Sequence, residues 1–205
     1  MIKTGNIKIT RPSRKQRQMS QKLEKQIIKV NGIDMAYRFD GPSDGHVVMM
    51  ANSLMSDCSM WDWNVPALSD RYRVLRFDKR GHGDSETTPA PYSIPQLADD
   101  AVALLDALKI DKVHFIGLSM GGMIGQQLGA RYPERVYSLS LCDTASEMPP
   151  RSLWEERFEI ARKEGIAGLV DGTIKRWFTA PFICVVPDFC SILAAAISCT
   201  NFAVF

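Results

Sequence analysis

Val113-His114-Phe115-Ile116-Gly117-Leu118-Ser119-Met120-Gly121-Gly122 decides how this chain is read. An apolar run ends in G-x-S-x-G and passes at once into a helical pattern, which is the strand-turn-helix context that gives the motif a mechanism. Ser119 then sits on a tight, strained turn with its hydroxyl free at the top of a sheet, and the flanking glycines let strand fold back on helix. The motif names a nucleophile. Gly121, Gly122 and Gly125 would each cost a free helix about 1 kcal/mol relative to alanine, so they imply close backbone packing against the sheet.

Working outward, Met120 to Arg131 is the expected helix after the turn, closed by Tyr132-Pro133. Ile94 to Leu108 carries a helical period, with Leu97, Ala101, Leu104, Leu105 and Leu108 on one face and Asp99, Asp100 and Asp106 off it. Ser93 ahead of Pro95 is its entry. Tyr72 to Phe77 and Val47 to Met50 read as strands, the second apolar enough to be covered on both faces. Trp61 to Leu68 reads as a short helix, and Asp78-Lys79-Arg80-Gly81-His82-Gly83-Asp84 as a polar loop. Gln26 to Val30 and Ile33 to Phe39 flank Asn31-Gly32, a hairpin signature. Downstream, Val136 to Cys142 is a further strand ending at Asp143-Thr144. Strands alternating with helices predict an α/β fold with a mainly parallel sheet covered by helices. Sites in such sheets gather at the carboxyl ends of strands, which brings together Asn52-Ser53-Leu54, the 78–84 loop, Ser119 and Asp143.

The 205 residues, 45% hydrophobic, support one core domain. We divide them into a basic leader at 1–25, a core at 26–148, a partial helical cap at 149–181 and an apolar tail at 182–205. The net charge of +2 hides an asymmetry: the leader holds eight Lys or Arg against Glu24 alone, and the other 180 residues are 17 basic to 22 acidic. Arg11 to Arg17 lacks aromatic interleaving and an adjoining fold motif, so no nucleic-acid partner is expected. The leader has no apolar h-region for export. It weakly resembles a transit peptide, and Met19 is read as the natural start. Five widely spaced cysteines suit a reducing, cytoplasmic setting. His46, His82 and His114 make no metal-ligand spacing with them, so no metal is expected. In the cap, Leu153 to Lys163 is amphipathic, with Trp154, Phe158 and Ala161 on one side among Arg151, Glu155, Glu156, Arg157 and Glu159. Residues 189–205 are uncharged yet shorter and more polar than a membrane span, which leaves buried core, aggregation-prone tail or weak anchor in that order.

With these segments in hand, the chain resembles the α/β-hydrolases and, more closely, the 3-oxoadipate enol-lactonases. The resemblance covers about residues 26–181. It is carried by Asn52-Ser53-Leu54, Met60-Trp61-Asp62, Arg76 to Ser85, Pro91 to Ile94, Leu104 to Leu108, Gly117 to Gly125, Tyr132 to Val136 and Arg176-Trp177-Phe178-Thr179. Asn52-Ser53-Leu54, standing where many relatives have His-Gly, narrows the choice together with Gly122-Met123-Ile124-Gly125 and Arg176-Trp177-Phe178.

The resemblance implies an α/β-hydrolase fold, Ser119 as nucleophile, and the backbone N–H groups of Met120 and Leu54 as an oxyanion hole. It implies a small cyclic enol-lactone bearing a carboxylate as substrate, opened to 3-oxoadipate through an acyl-enzyme without cofactor or metal. Asn52, Ser53, Trp154, Arg176 and Trp177 are the implied substrate contacts, with Arg151 or Arg176 meeting the carboxylate. Packing of the tryptophans and solvation of the arginines are the competing readings.

The pattern breaks at the base. The family's order is nucleophile, acid, then histidine, and no histidine follows His114. His82 is a candidate base whose loop is otherwise expected to have a shaping role. Asp143 is the candidate acid, with local packing as its ordinary reading, and Asp188 has no histidine to orient. Three accounts stay open: a tail replaced from Phe182 onward by a frameshift or altered splice; an inactive descendant binding a small carboxylate or a protein; or hydrolysis restored by a partner chain or a His82-Asp143 pair. An incomplete sheet would expose an edge, and a homo-oligomer could cover it.

Overall fold

The computed structural model describes residues 25–147, 150, 152, 154–185, 194 and 197. The 1–24 part of the leader, Arg151 and Asp188 lie outside them. Six strands form one sheet: β1 Gln26–Val30, β2 Ile33–Asp40, β3 Val47–Ala51, β4 Arg73–Phe77, β5 Val113–Leu118 and β6 Val136–Cys142, in the order β1-β2-β4-β3-β5-β6. The β4, β3, β5 and β6 neighbours pair in parallel, and the β1–β2 hairpin joins antiparallel through β2 and β4. Asn31 and Gly32 both take positive φ (46° and 78°), the twist a two-residue hairpin needs.

Helices α1 Ile94–Ala107 and α2 Met120–Arg131 cover one face of the sheet. Met35, Met49, Leu75, Phe115, Leu104 and Ile124 meet there with no exposed surface. On the opposite face Trp61 and Val65 close over Val48, Met50 and Val74. The region expected to form a cap holds α3 Glu155–Glu164 and α4 Val170–Trp177, and α5 Ala180–Val185 runs across the boundary drawn at residue 181. Its own cluster, including Ala161, Ile166 and Leu169, reaches down to Met55.

Two expectations change. The helix expected over Trp61 to Leu68 is instead two 3-10 turns, Cys58–Trp61 and Val65–Ala67. Asp57 caps the first, accepting from Ser59 N at 2.8 Å, and Pro66 denies the second the N–H a continuous helix would use. Asp100, assigned to the polar side of α1, is buried. It holds Arg80 through Nε to Oδ2 at 2.9 Å and Nη2 to Oδ1 at 2.7 Å, while Asn31 Nδ2 donates to the same carboxylate at 2.6 Å. A short aspartate can lie under the solvent-facing side of a helix when a loop arginine comes to it. Among the described residues no helix is long and apolar enough to cross a membrane.

Candidate active site

Ser119 joins β5 to α2 with φ 54° and ψ −115°, a backbone that side chains rarely adopt. The elbow can form only because glycines stand where its surroundings leave no room for side chains. A Cβ on Gly121 would strike the Ala51 carbonyl at the end of β3, and one on Gly117 would strike the Gly121 backbone. The turn is tied to β6 on the other side: Ser119 N–H donates to Cys142 O at 2.9 Å, and Thr144 Oγ1 donates to Ser119 O at 2.7 Å.

Beside the elbow lies the turn after β3. Ser53 and Leu54 border the cavity that contains Ser119, and Met55 follows with φ 59°. The 78–84 loop holds this turn at three points. Lys79 Nζ donates to Ser53 O at 3.0 Å, Met55 N–H donates to His82 Nε2 at 3.3 Å, and Cys58 N–H donates to Asp78 Oδ1 at 2.7 Å. Leu54 N–H, between these anchors, and Met120 N–H, at the first position of α2, have no hydrogen-bond partner among the described residues. Two free donors therefore flank Ser119, one from each side of the sheet's crevice.

His82 has no nitrogen to spare. Its Nδ1–H faces Arg80 O at 3.0 Å, its Nε2 accepts from Met55, and the ring is 1% exposed. Burial first, and then the neighbouring Lys79 charge, hold its pKa well below the usual 6.5. The candidate base thus serves as a strut for the turn. Lys79, also buried, is pulled by desolvation down to about 7 against the opposing pull of Asp78. His46 and His114 cluster with Tyr72 and Tyr137 near the amino ends of the strands, with His114 Nδ1 2.9 Å from Ser138 Oγ. No histidine of this sequence is at Ser119.

The other site residues divide. Asn52 is fully buried and turned into its own loop, where Nδ2 bonds the Ser56 carbonyl, so it lines neither cavity described here. A smaller cavity of about 340 Å3 brings Ser119 together with Ser53, Leu54, Trp154, Arg157, Arg176 and Trp177. A larger one of about 670 Å3 contains Ser119, Ser53, Cys142, Asp143, Arg176 and Trp177. Asp143 lies exposed after β6 with φ 46°. Sequence reasoning gave neither Lys79 nor Arg157 a place in the site. Arg157 follows Trp154 by three residues, a spacing that puts both on one side of a helix, and its guanidinium lies 4.4 Å from the indole centroid.

With this geometry in view, the comparison with known proteins is direct. A family model described as the alpha/beta hydrolase fold matches residues 47–168. The chain belongs to the α/β-hydrolase family. It is 35% identical to 3-oxoadipate enol-lactonase 2 of Acinetobacter baylyi over 78% of its own length, and 36% identical to 3-oxoadipate enol-lactonase 1 of the same organism over 74%. It spans 60% and 56% of those two relatives. The crystal structure of an enol-lactonase from Burkholderia xenovorans superposes with a TM-score of 0.84 at 39% identity, covering 87% of this chain and 69% of that one. The α/β-hydrolase fold and the likeness to enol-lactonases expected from sequence are both borne out.

Proposed function

We propose that this α/β-hydrolase chain acts on a carboxylic ester, in the first instance a small enol-lactone, with Ser119 as nucleophile. The observation that carries the reading is the elbow itself: a serine at φ 54° inside a cavity, flanked by the unpaired N–H groups of Leu54 and Met120. Oxygen of Ser119 adds to the lactone carbonyl while its proton passes to a base, and the developing oxyanion takes the two N–H groups. One such donor is typically worth about 3 kcal/mol of transition-state stabilisation. The ring C–O bond then breaks, leaving an acyl group on Ser119 and an enolate, which takes up on carbon the proton that Ser119 gave to the base and becomes the ketone. Water adds to the acyl carbon, releasing the carboxylic acid and returning the hydrogen to Ser119. No step calls for a metal or cofactor.

The relatives named as enol-lactonases support the substrate class, and the free cysteines at 58, 142 and 184 support a reducing, cytoplasmic setting. The engagement of both His82 nitrogens favours a second reading for the isolated polypeptide: the pocket binds its ligand without turnover, because none of its three histidines can take the proton from Ser119.

One experiment separates the two. Under the hydrolase reading, p-nitrophenyl acetate acylates Ser119 slowly, with the adduct visible by peptide mass spectrometry. Added imidazole accelerates the step by supplying the base, and Ser119→Ala removes both the adduct and the acceleration. A rate equal in wild type and Ser119→Ala, with no adduct at any imidazole concentration, leaves only the binding reading.

A further inference from the structure

The free N–H of Leu54 belongs to a peptide group whose other end is held by a buried cation. Ser53 C=O and Leu54 N–H are opposite sides of one trans amide, since the only cis bond among the described residues precedes Pro91. Whatever grips the carbonyl therefore sets where the N–H points. Ser53 O accepts from Lys79 Nζ at 3.0 Å and from Ser56 Oγ at 2.9 Å. A charged ammonium makes the stronger of these two bonds. By drawing electron density onto the carbonyl oxygen, it also makes the N–H of the same amide a better donor. The next amide is fixed as well, because Met55 N–H donates to His82 Nε2 at 3.3 Å. Both peptide planes that meet at Leu54 are thus held by the 78–84 loop.

Lys79 is 1% exposed and makes no ion pair of its own among the described residues. Asp78 beside it is taken by Lys25 Nζ at 2.7 Å and by the N–H groups of Cys58 and Asp84. The other titratable groups that face it are Asp57 and the Cys58 thiol at the first 3-10 turn and His82 in its own loop. Burial pulls the ammonium down to about 7, against Asp78, Asp57 and Cys58, which favour the charged form. Burial and then Lys79 hold His82 well below its ordinary value, and burial and then Asp78 push the Cys58 thiol well above its own. Of these three groups, Lys79 alone changes charge near neutrality.

We propose that Lys79 is a positioning residue for the chemistry at Ser119: through Ser53 O it aims the Leu54 N–H at the developing oxyanion and, when charged, strengthens that donor. Without Lys79 the carbonyl is left to Ser56 alone, and the amide has more freedom to turn its N–H away. The inference rests on the ester-hydrolase reading for the effect on rate. It does not rest on that reading for the effect on the amide, which can be observed without any reaction.

The test follows the amide and the reaction separately. In NMR spectra of the isotope-labelled full chain, the Leu54 amide nitrogen should move downfield as pH falls through about 7, whereas the Met120 amide should hold still. Lys79→Gln keeps an N–H donor without the charge and Lys79→Met keeps neither, so both should abolish that titration. For the reaction, acylation of Ser119 by p-nitrophenyl acetate is followed by peptide mass spectrometry, and its rate is divided by the concentration of neutral imidazole. In the wild type this rate should be about threefold higher on the acid side of the same midpoint. Lys79→Gln should show the lower rate at every pH. Lys79→Met should fall about tenfold below the acid plateau, with the ester concentration for half-maximal rate unchanged. Ser56→Ala is the control, since it removes a neutral donor from the same carbonyl and should keep the pH dependence. Should Lys79→Met fail to fold, the wild-type titration and Lys79→Gln carry the test. A Leu54 amide that ignores pH in the wild type, or titrates equally in Lys79→Gln, overturns the proposal, and so does a pH dependence of acylation that survives in Lys79→Gln. A Lys79-dependent Leu54 titration with no Ser119 adduct in any protein would keep the hold on the amide and refute the hydrolase reading, whereas adducts forming at a rate independent of Lys79 would do the reverse.

Discussion

Strands β3 and β6 belong to one parallel sheet and both end beside Ser119, yet all five residues of β3 are buried and none of the seven of β6 is. Composition does not account for this, because Val-Tyr-Ser-Leu-Ser-Leu-Cys is a respectable strand sequence. Neighbours do. β3 has β4 and β5 on its flanks, α1 and α2 beneath, and Trp61 and Val65 above. β6 has β5 on one flank and no strand on the other among the described residues, and Tyr137 and Leu141 are 53% and 41% exposed. The difference carries through to the loops. The turn after β3 is braced by Lys79, His82 and Asp78, while the residue after β6, Asp143, stands exposed. The β3 side of the site is braced by buried contacts, whereas the β6 side meets the elbow through Cys142 O and Thr144 Oγ1 and leaves Asp143 exposed.

The contrast can be broken most sharply in the core. Phe115→Ala in β5 should lower the unfolding free energy in urea by about 3–5 kcal/mol, the usual range for a large buried side chain. Arg80→Met should cost about 3 kcal/mol, because Asp100 is left buried and uncompensated. The partly exposed Arg135–Asp106 pair is the control: Arg135→Met should cost less than about 1 kcal/mol in the same titration.

Acid sharpens the contrast differently. Since the folded-state pKa of His82 is depressed, its contribution to stability is complete above about 6.5, the unfolded value, and is lost as pH falls toward the folded one. The thermal midpoint should fall below about pH 6.5, and His82→Gln should flatten that part of the profile. If the slope is unchanged in His82→Gln, the strut is not the titrating group. The smallest effect on stability, within about 0.5 kcal/mol, is expected for Leu141→Lys on β6. The same variant should reduce self-association in light scattering, because the exposed edge is where a second chain would pair.

Most of the parallel sheet was legible because its strands are short apolar runs bounded by glycine, proline and polar residues, and α2 was bounded correctly at both ends by the elbow and Tyr132-Pro133. Ser119 was legible for the same local reason. What sequence could not disclose were contacts between distant segments. Asp100 reads as a polar-face residue until Arg80 is brought to it, and His82 reads as a free imidazole until Met55 and Arg80 occupy it. Asn52, next to the cavity residue Ser53 in the chain, lines neither cavity, its side chain closing a turn onto Ser56. Arg157 was assigned to a polar helix side, and only the approach of α3 and α4 puts it opposite Arg176.

The strand order has a bearing on synthesis. Once β4 has paired with β3, the next two strands made, β5 and then β6, join in sequence on the free side of β3, so each new strand lands on the current edge. Among the described strands, none after β4 has to be threaded between two that already pair. A chain emerging amino end first can therefore enlarge its sheet in the direction of translation, and Ser119 is set in place when β5 docks, before the ribosome has delivered the cap.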